Sequence, residues 1–248
     1  MKDTETTLHP ESSSVPLSQN LGEGLGVRVI ALIPAYNEVA RIRPVIAGAL
    51  EHLPVLVVDD GSADDTASVA ETAGARVLRQ QPNRGKGAAL RLGFRRAIDQ
   101  GFEGVLTLDA DGQHDPAEIP SFLDKYAEMG ADLVIGARDF SHIPPVRRLA
   151  NSLGRVTFSW AVGQEIPDNQ SGYRLISRRL MGDLLDSQEG GFEFEVEMIK
   201  VCIKRGYRLE WVPIRTIYRG ESSHISPLVH VQNFLRVVWQ TRRDMRGM

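Results

Sequence analysis

The sequence of 248 residues contains a single cysteine, Cys202, so it cannot form an internal disulfide. Cys202 lies in a segment whose apolar residues recur at helical spacing, which predicts a buried thiol. No apolar run approaches the roughly 18 residues that are needed to cross a bilayer. The polar residues 1–19 contain no hydrophobic segment typical of a secretory signal. These absences predict a protein of the reducing cytoplasm.

The sequence also lacks a strong net charge. Its formal charge is −3, with 42% hydrophobic and 25% charged residues, which is typical of a soluble globular protein. A balance of this kind does not produce the broad basic surface on which nucleic-acid binding depends, so we expect no nucleic-acid partner. The composition gives no indication of the oligomeric state.

The composition and patterning of the sequence divide the chain into three predicted segments. The Ser-, Thr-, Glu- and Gly-rich residues 1–26 predict a disordered tail, residues 27–226 a single α/β domain, and residues 227–248 a closing helix. Within the domain, helical patterns alternate with short apolar runs, and this alternation predicts a mostly parallel sheet flanked by helices. The predicted strands cover residues 27–33, 55–58, 76–79, 105–108 and 132–136.

A carboxylate-bearing loop follows the fourth of these strands. It contains Asp109, Asp111 and Asp115, with a turn signal at Gly112 and a helix-starting proline at Pro116. Carboxylates at the end of a buried strand need charge compensation, and a hard divalent cation carrying a phosphate ligand would supply it. A polar loop with Asp115 as the cap of the next helix would need no ligand. Two other predicted strands, the first and second, also end in polar loops, and ligands bind at this edge of parallel sheets.

Six short motifs occur in order along the chain and together carry a resemblance to a known family. They are residues 33–38 (IPAYNE), 58–62 (VDDGS), 85–87 (GKG), 109–111 (DAD), 136–138 (GAR) and 170–174 (QSGYR). In this combination the chain resembles the family 2 glycosyltransferases of the GT-A type, which have a Rossmann-like sheet. Within them it is most similar to the dolichyl- or polyprenyl-phosphate mannose and glucose synthases.

The resemblance implies a site for a nucleotide-sugar donor. Asp111 and Gln113 would hold Mg²⁺ or Mn²⁺ against the diphosphate, and Arg138 and Arg219 would hold substrate phosphates. His224 stands near a position where that branch of the family has a lysine, and would take over that phosphate contact. The remaining residues implied to contact the nucleotide are Pro34, Tyr36, Glu38, Val58, Asp60, Asp109 and Ala110.

The acceptor side follows from the same resemblance. Arg148 and Ser152 match a pair that binds a lipid phosphate, and the loop residues Gln170 and Ser171 are implied to lie at the acceptor. A phosphate oxygen is already ionised and needs no general base, whereas a hydroxyl acceptor would need one. Asp168 is the candidate base, and it joins Asp111 and Arg138 as a candidate catalytic residue.

The principal hypothesis is an inverting, metal-dependent enzyme that moves a hexose from a UDP- or GDP-sugar to a polyprenyl, dolichyl-like phosphate. A second hypothesis is transfer to a soluble or protein-bound hydroxyl, with Asp168 as base. A third is a non-catalytic protein that binds nucleotide sugars. A nucleotidyltransferase is disfavoured, because its first strand normally leads into a Gly-rich phosphate loop and this one leads into residues 34–38 (PAYNE).

Several further residues have local interpretations. Arginines mixed with Phe158 and Trp160 in the predicted helix over residues 144–162 are compatible with peripheral contact at the inner face of a membrane. Lys86 reads as a solvated residue at a helix start. Three alternating glutamates at residues 193, 195 and 197 are expected at the surface, and His114 is expected to face solvent or its own loop.

Overall fold

A computed structural model describes residues 27–138, 145–187, 189, 193–215, 217, 236 and 238–245. In the helix over residues 145–162 it describes side chains from residue 154 onward. The predicted tail at residues 1–26 lies outside the described residues, as does most of the predicted closing helix. Within that helix, residues 238–245 are helical.

Seven strands form one sheet in the spatial order β3-β2-β1-β4-β6-β5-β7. Every neighbouring pair is parallel except the two pairs that involve β6. The predicted mostly parallel sheet is therefore confirmed. The strands are β1 (Val29–Ala35), β2 (Val55–Asp59), β3 (Arg76–Arg79), β4 (Gly104–Thr107), β5 (Leu133–Arg138), β6 (Arg174–Ser177) and β7 (Leu209–Ile214).

Besides the helical residues 238–245, seven helices connect and cover these strands in the described part of the chain. They are α1 (Ile42–Leu50), α2 (Thr66–Thr72), α3 (Lys86–Asp99), α4 (Ile119–Met129), α5 (Pro145–Val162), α6 (Arg178–Leu184) and α7 (Glu193–Lys204). A 3₁₀ turn over Pro116–Glu118 precedes α4. The Asp115 carboxylate accepts a hydrogen bond from the Ala117 N–H at 3.0 Å, so the predicted capping role of Asp115 is confirmed.

The two faces of the sheet carry separate apolar layers. Alternate residues of each strand point to opposite faces, so Ile30 and Val58 pack under α3, α5, α6 and α7, whereas Ala31 and Val57 pack under α1 and α4. A sheet covered on both faces requires strands that are apolar throughout, and β2 is buried at all five positions. For this reason a short continuous apolar run in the sequence predicts a strand.

The reversed strand β6 determines which loops meet. Arg174, at its amino end, is opposite Thr107 on one side and Ile135 on the other. The loop that enters β6 therefore lies at the same edge as the carboxyl ends of β4 and β5. Residues 168–173 and 109–115 are adjacent for this reason, although about sixty residues separate them along the chain.

Candidate active site at the carboxyl edge of the sheet

The loops after β1 and β2 form one side of this edge. The Asn37 N–H donates to the Ser62 hydroxyl at 2.9 Å, and the Asn37 amide oxygen accepts from the Ala63 N–H at 2.8 Å. Asn37 adopts a positive φ of 56°, a conformation that asparagine tolerates better than most residues. This junction leaves the Tyr36 ring half exposed, with 49% of its surface accessible. An exposed aromatic ring at the carboxyl edge of the sheet is suited to stacking against the planar base of a nucleotide.

Pro34 and Glu38, also predicted to contact the nucleotide, flank Tyr36 and are partly exposed. The Glu38 carboxylate accepts a hydrogen bond from Arg41 Nε at 2.7 Å, and the Glu38 N–H donates to the Thr66 hydroxyl at 2.8 Å. Both contacts fix the start of α1 against the loop after β2. The structure thus brings these three predicted residues together on one accessible surface.

Two other predicted nucleotide contacts have partners inside the protein. Val58 is fully buried in the core, and its backbone pairs with β1 and β3. The Asp60 carboxylate is 3% exposed and accepts hydrogen bonds from the Arg84 and Gly85 N–H groups at 2.8 and 2.7 Å. Asp60 therefore orders the loop that leads into α3, and any contact that it makes with a nucleotide remains a prediction.

Lys86, the first residue of α3, lies between two carboxylates. Its ammonium is 2.5 Å from Asp109 Oδ1 and 2.7 Å from Glu195 Oε1. The expectation of a surface Glu195 is wrong, because its side chain is only 9% exposed. The Lys86 side chain is 34% exposed, so it is partly solvated as expected, and its ammonium also pairs with both acids. Glu195 comes from α7, and its pairing with Lys86 spans 109 positions of sequence, so no local pattern could reveal it.

The charges of this cluster reinforce one another. Burial disfavours the charged form of Asp109, but the nearby Lys86 ammonium outweighs that effect and lowers the Asp109 pKa to about 2. Burial likewise disfavours the charged form of Lys86, and the carboxylates of Asp109 and Glu195 raise its pKa above the ordinary value. Lys86 and Asp109 are therefore charged throughout the physiological range of pH.

His114 faces its own loop, which is one of the two orientations predicted for it. It is 6% exposed, its Nδ1 accepts the Asp109 N–H at 3.2 Å, and its ring stacks on Tyr173 with centroids 4.9 Å apart. Burial lowers the His114 pKa to about 4, although the Asp109 carboxylate opposes the shift. A neutral imidazole is also what the accepted hydrogen bond requires. His114 thus shapes the loop after β4.

Asp111 and Gln113 lie on the outer turn of the same loop. Both are partly exposed, whereas Ala110 is buried at 4% exposure, and Asp111 Oδ1 accepts the Gln113 N–H at 2.9 Å. No group of three or more His, Cys, Asp or Glu side chains suited to enclosing a metal occurs among the described residues. One carboxylate with one amide oxygen nevertheless suits Mg²⁺, which keeps several waters and binds substrate phosphates. The donor set therefore fits a cation shared with a ligand.

Arg138 and Asp168 form a bidentate ion pair beside this loop. Arg138 Nε and Nη2 donate to the two Asp168 oxygens at 2.6 and 2.9 Å. Asp168 is 3% exposed, and its Oδ1 also accepts the Gln170 and Ser171 N–H groups at 3.0 and 3.2 Å. The structure therefore brings two predicted catalytic residues together, with the carboxylate holding the guanidinium and ordering the loop before β6. Ser171 is buried and Gln170 exposed.

Arg174 is a buried residue whose role the sequence reading missed. It is fully buried, and its guanidinium donates to the carbonyl oxygens of Ser171 at 2.7 Å and Asn169 at 3.2 Å, and to that of Glu195. Burial lowers the Arg174 pKa, although neighbouring carboxylates oppose the shift. Arg174 ties the loop before β6 to the start of α7. The sequence did offer one indication of this role, because Arg174 is a charged residue at the start of the short strand β6.

The remaining predicted contacts lie outside the described parts of the chain. Arg219 and His224 belong to residues that the structure does not describe. Arg148 and Ser152 lie on α5, and their side chains are likewise outside the description. The roles of these four residues stay predictions.

The strand order and the loops that meet at its carboxyl edge define an α/β protein of the GT-A type. The model of the family described as "Glycosyl transferase family 2" matches residues 30–185. The match covers more than half of the chain, and the protein belongs to this family of glycosyltransferases.

Relatives and solved structures agree with this assignment. The chain is 33% identical over 218 residues to an undecaprenyl-phosphate mannosyltransferase of Micrococcus luteus, covering 79% of this chain and 87% of that protein. It is also 33% identical over 207 residues to a polyprenol monophosphomannose synthase of Mycolicibacterium smegmatis, covering 75% and 76%. Glucosyl-3-phosphoglycerate synthase of Mycobacterium tuberculosis, solved with Mn²⁺, UDP and phosphoglyceric acid, shares the fold with a TM-score of 0.69 at 21% identity, covering 96% and 85%.

Proposed function

We propose that the protein is an inverting, metal-dependent hexosyltransferase that uses a UDP- or GDP-sugar and a polyprenyl phosphate acceptor. The observation that carries the acceptor is the similarity, over three quarters or more of this chain, to two relatives named for polyprenyl phosphates. The donor class rests on the accessible Tyr36 surface and the partly exposed Asp111 and Gln113 at the same edge of the sheet.

The chemistry requires compensation of a leaving diphosphate. An acceptor phosphate oxygen attacks the anomeric carbon, the bond from that carbon to the donor phosphate oxygen breaks, and a nucleoside diphosphate leaves. A divalent cation, when bound at Asp111 and Gln113, would neutralise the charge that develops on the diphosphate. Arg138 is suited to a phosphate because its planar guanidinium presents two parallel donors, and Asp168 fixes its orientation.

The surroundings of Asp168 favour a phosphate acceptor over a hydroxyl. A general base needs an oxygen that can reach the proton of the attacking group. Both Asp168 oxygens already accept hydrogen bonds from Arg138, and one accepts two more from the backbone. We therefore assign Asp168 to positioning Arg138 and the loop before β6. An ionised phosphate acceptor makes a base unnecessary.

The direct test measures transfer of label from UDP-glucose, UDP-N-acetylglucosamine and GDP-mannose to a polyprenyl phosphate, with Mg²⁺ or Mn²⁺ present. We expect one donor to label the organic extract, a product of inverted anomeric configuration, and loss of transfer on chelation. Asp111→Asn should weaken the dependence of nucleotide binding on metal. Label that enters water-soluble products alone would refute the lipid acceptor.

A second measurement separates the two roles of Asp168. For a positioning role, Asp168→Asn should lower the rate without removing an ionisation from the pH profile of kcat/KM, and transfer to lipid phosphate should survive. For a base role, the substitution should abolish transfer and remove the acidic limb of the profile. The latter result would favour a hydroxyl acceptor.

A further inference from the structure

Large apolar side chains remain exposed where α5 meets the C-terminal helical residues 238–245. Val156 and Trp160 on α5 are 60% and 55% exposed, and Trp239 is 75% exposed. Arg243 is exposed one turn beyond Trp239. We call these residues, together with Arg242, the aromatic-basic patch. Exposed tryptophan side chains leave apolar surface in contact with water. Several large apolar side chains that are exposed side by side mark an interaction surface.

The two helices of the patch are joined by direct contacts. The Arg242 guanidinium lies over the Trp160 ring, 4.7 Å from its centroid, and Arg242 Nη1 donates to the Trp160 carbonyl oxygen at 3.1 Å. On the inner side, Val238 and Phe158 are buried in the same core layer. Each helix therefore already has a buried face, and the exposed tryptophans are on the faces left outside.

The charges around the patch have one dominant sign. Helix α5 contains three arginines and no acidic residue along its 18 positions. The described residues 236 and 238–245 add Arg242, Arg243 and Arg236, of which Arg236 lies 3.9 Å from Glu193. Their one acid, Asp244, lies 3.4 Å from Lys200. Arginines around exposed tryptophans complement a surface that is anionic outside and apolar beneath. An anionic lipid bilayer has this profile, since tryptophan favours the headgroup region.

We propose that the aromatic-basic patch docks the protein on an anionic membrane surface, with Trp160 and Trp239 entering the headgroup region and the arginines contacting lipid phosphates. No helix among the described residues has the length and apolarity to span a bilayer. A second copy of the chain would meet the same arginines, and like charges disfavour that pairing.

The aromatic-basic patch also lies on the helix that is predicted to bind the acceptor phosphate. This part of the inference, unlike the docking itself, rests on the proposed function. Positions 148, 152, 156 and 160 succeed one another at intervals of four along α5. Such positions follow one inclined row on a helix. The predicted phosphate-binding pair and two patch residues therefore share a row, which would place a membrane-embedded acceptor phosphate beside the helix that is predicted to bind it.

The docking is tested without donor or acceptor. The full chain is mixed with vesicles of phosphatidylcholine alone or with phosphatidylglycerol, and sedimentation and tryptophan emission are measured. We expect binding and a blue shift with the anionic vesicles only. Arg243→Gln should lower the partition coefficient about fivefold, because an arginine near an anionic surface contributes about 1 kcal/mol. Trp239→Ala should lower it and reduce the shift, with Trp160 supplying the remainder.

The matched control is Arg43→Gln, which removes an exposed arginine from α1 on the opposite face of the sheet. It should bind as the unmodified protein does. Equal loss in Arg43→Gln and Arg243→Gln, equal binding to neutral vesicles, or shielding of Trp239 by self-association would each overturn the inference. Transfer to lipid phosphate without vesicle binding would leave the proposed function standing and refute the patch alone.

Discussion

At Lys86 a single ammonium compensates two carboxylates that belong to different elements. Asp109 comes from the end of β4 and Glu195 from α7, so the ion pairs join both to the start of α3. Removing the cation leaves two acids facing one another in a mostly buried place, which costs more than losing a surface pair. The same pairing holds the Asp109 carboxylate against the start of α3, and Asp109 and Asp111 are both partly exposed.

We predict that Lys86→Met lowers the free energy of unfolding by about 1–3 kcal/mol, which is less than the loss of one partner of a fully buried pair costs, because the Lys86 side chain is 34% exposed but holds two acids. Glu195→Gln should cost less, because Lys86 keeps Asp109. Both should raise KM for the nucleotide sugar, since the loop after β4 loses its anchor. Urea unfolding and initial-rate kinetics measure the two effects.

Lys125→Met is the matched control for this comparison. Lys125 has the same 34% exposure as Lys86 but a single longer pair, 3.7 Å from Glu210. We expect its loss to change the free energy of unfolding by less than about 1 kcal/mol. Similar costs for the two lysines would contradict the assigned role of Lys86.

At the scale of elements, the local pattern of the sequence predicted most of the sheet. Apolar runs of four to seven residues predict strands where both faces are covered, as in β2. The edge strand β3, with two arginines and only partial burial, was also predicted with the observed bounds. The strand order and the reversal of β6 were not predictable in this way, because β6 has only four residues and its direction depends on pairing with distant β4 and β5. The partners of Glu195 and Asp168 were hidden for the same reason.

Gly172, in the loop entering β6, shows how close two of these elements approach. A Cβ built there would lie 2.7 Å from Asp109 Oδ2 and 2.9 Å from Lys86 Nζ. We predict that Gly172→Ala separates this ion pair or displaces the loop, with a destabilisation of about 1 kcal/mol, at the low end of the overpacking range because both atoms are the ends of side chains that can move. Activity should fall with it, because the loop after β4 moves.

Gly182→Ala provides the comparison. Gly182 lies in α6, and a Cβ there would meet nothing within 4 Å. Since alanine favours a helix over glycine, this change should be neutral or stabilise by up to about 1 kcal/mol. Thermal unfolding measures the stability of both variants. A Gly172→Ala protein as stable as the Gly182→Ala protein would contradict the predicted cost of the close approach.

For the whole molecule, the two apolar layers share one sheet, so neither layer can be lost without exposing the other. Alternate residues of the same strands supply both layers, as Ile30 and Ala31 do in β1. This arrangement predicts cooperative unfolding of the described domain as one unit. A probe inside one layer should therefore report on the opening of both.

Cys202 is such a probe, since it is fully buried in α7 within the layer of α3, α5 and α6. Burial raises the pKa of its thiol to about 12, so in the folded state it is both inaccessible and protonated. We predict that a thiol-specific reagent at pH 8 modifies the folded protein at least about 10³-fold more slowly than the unfolded chain, given ordinary domain stability. The urea midpoint for labelling should coincide with that for far-UV circular dichroism, which reports on the helices of both faces of the sheet. Labelling at clearly lower urea would show that the α7 layer opens separately, and would contradict a single cooperative unit.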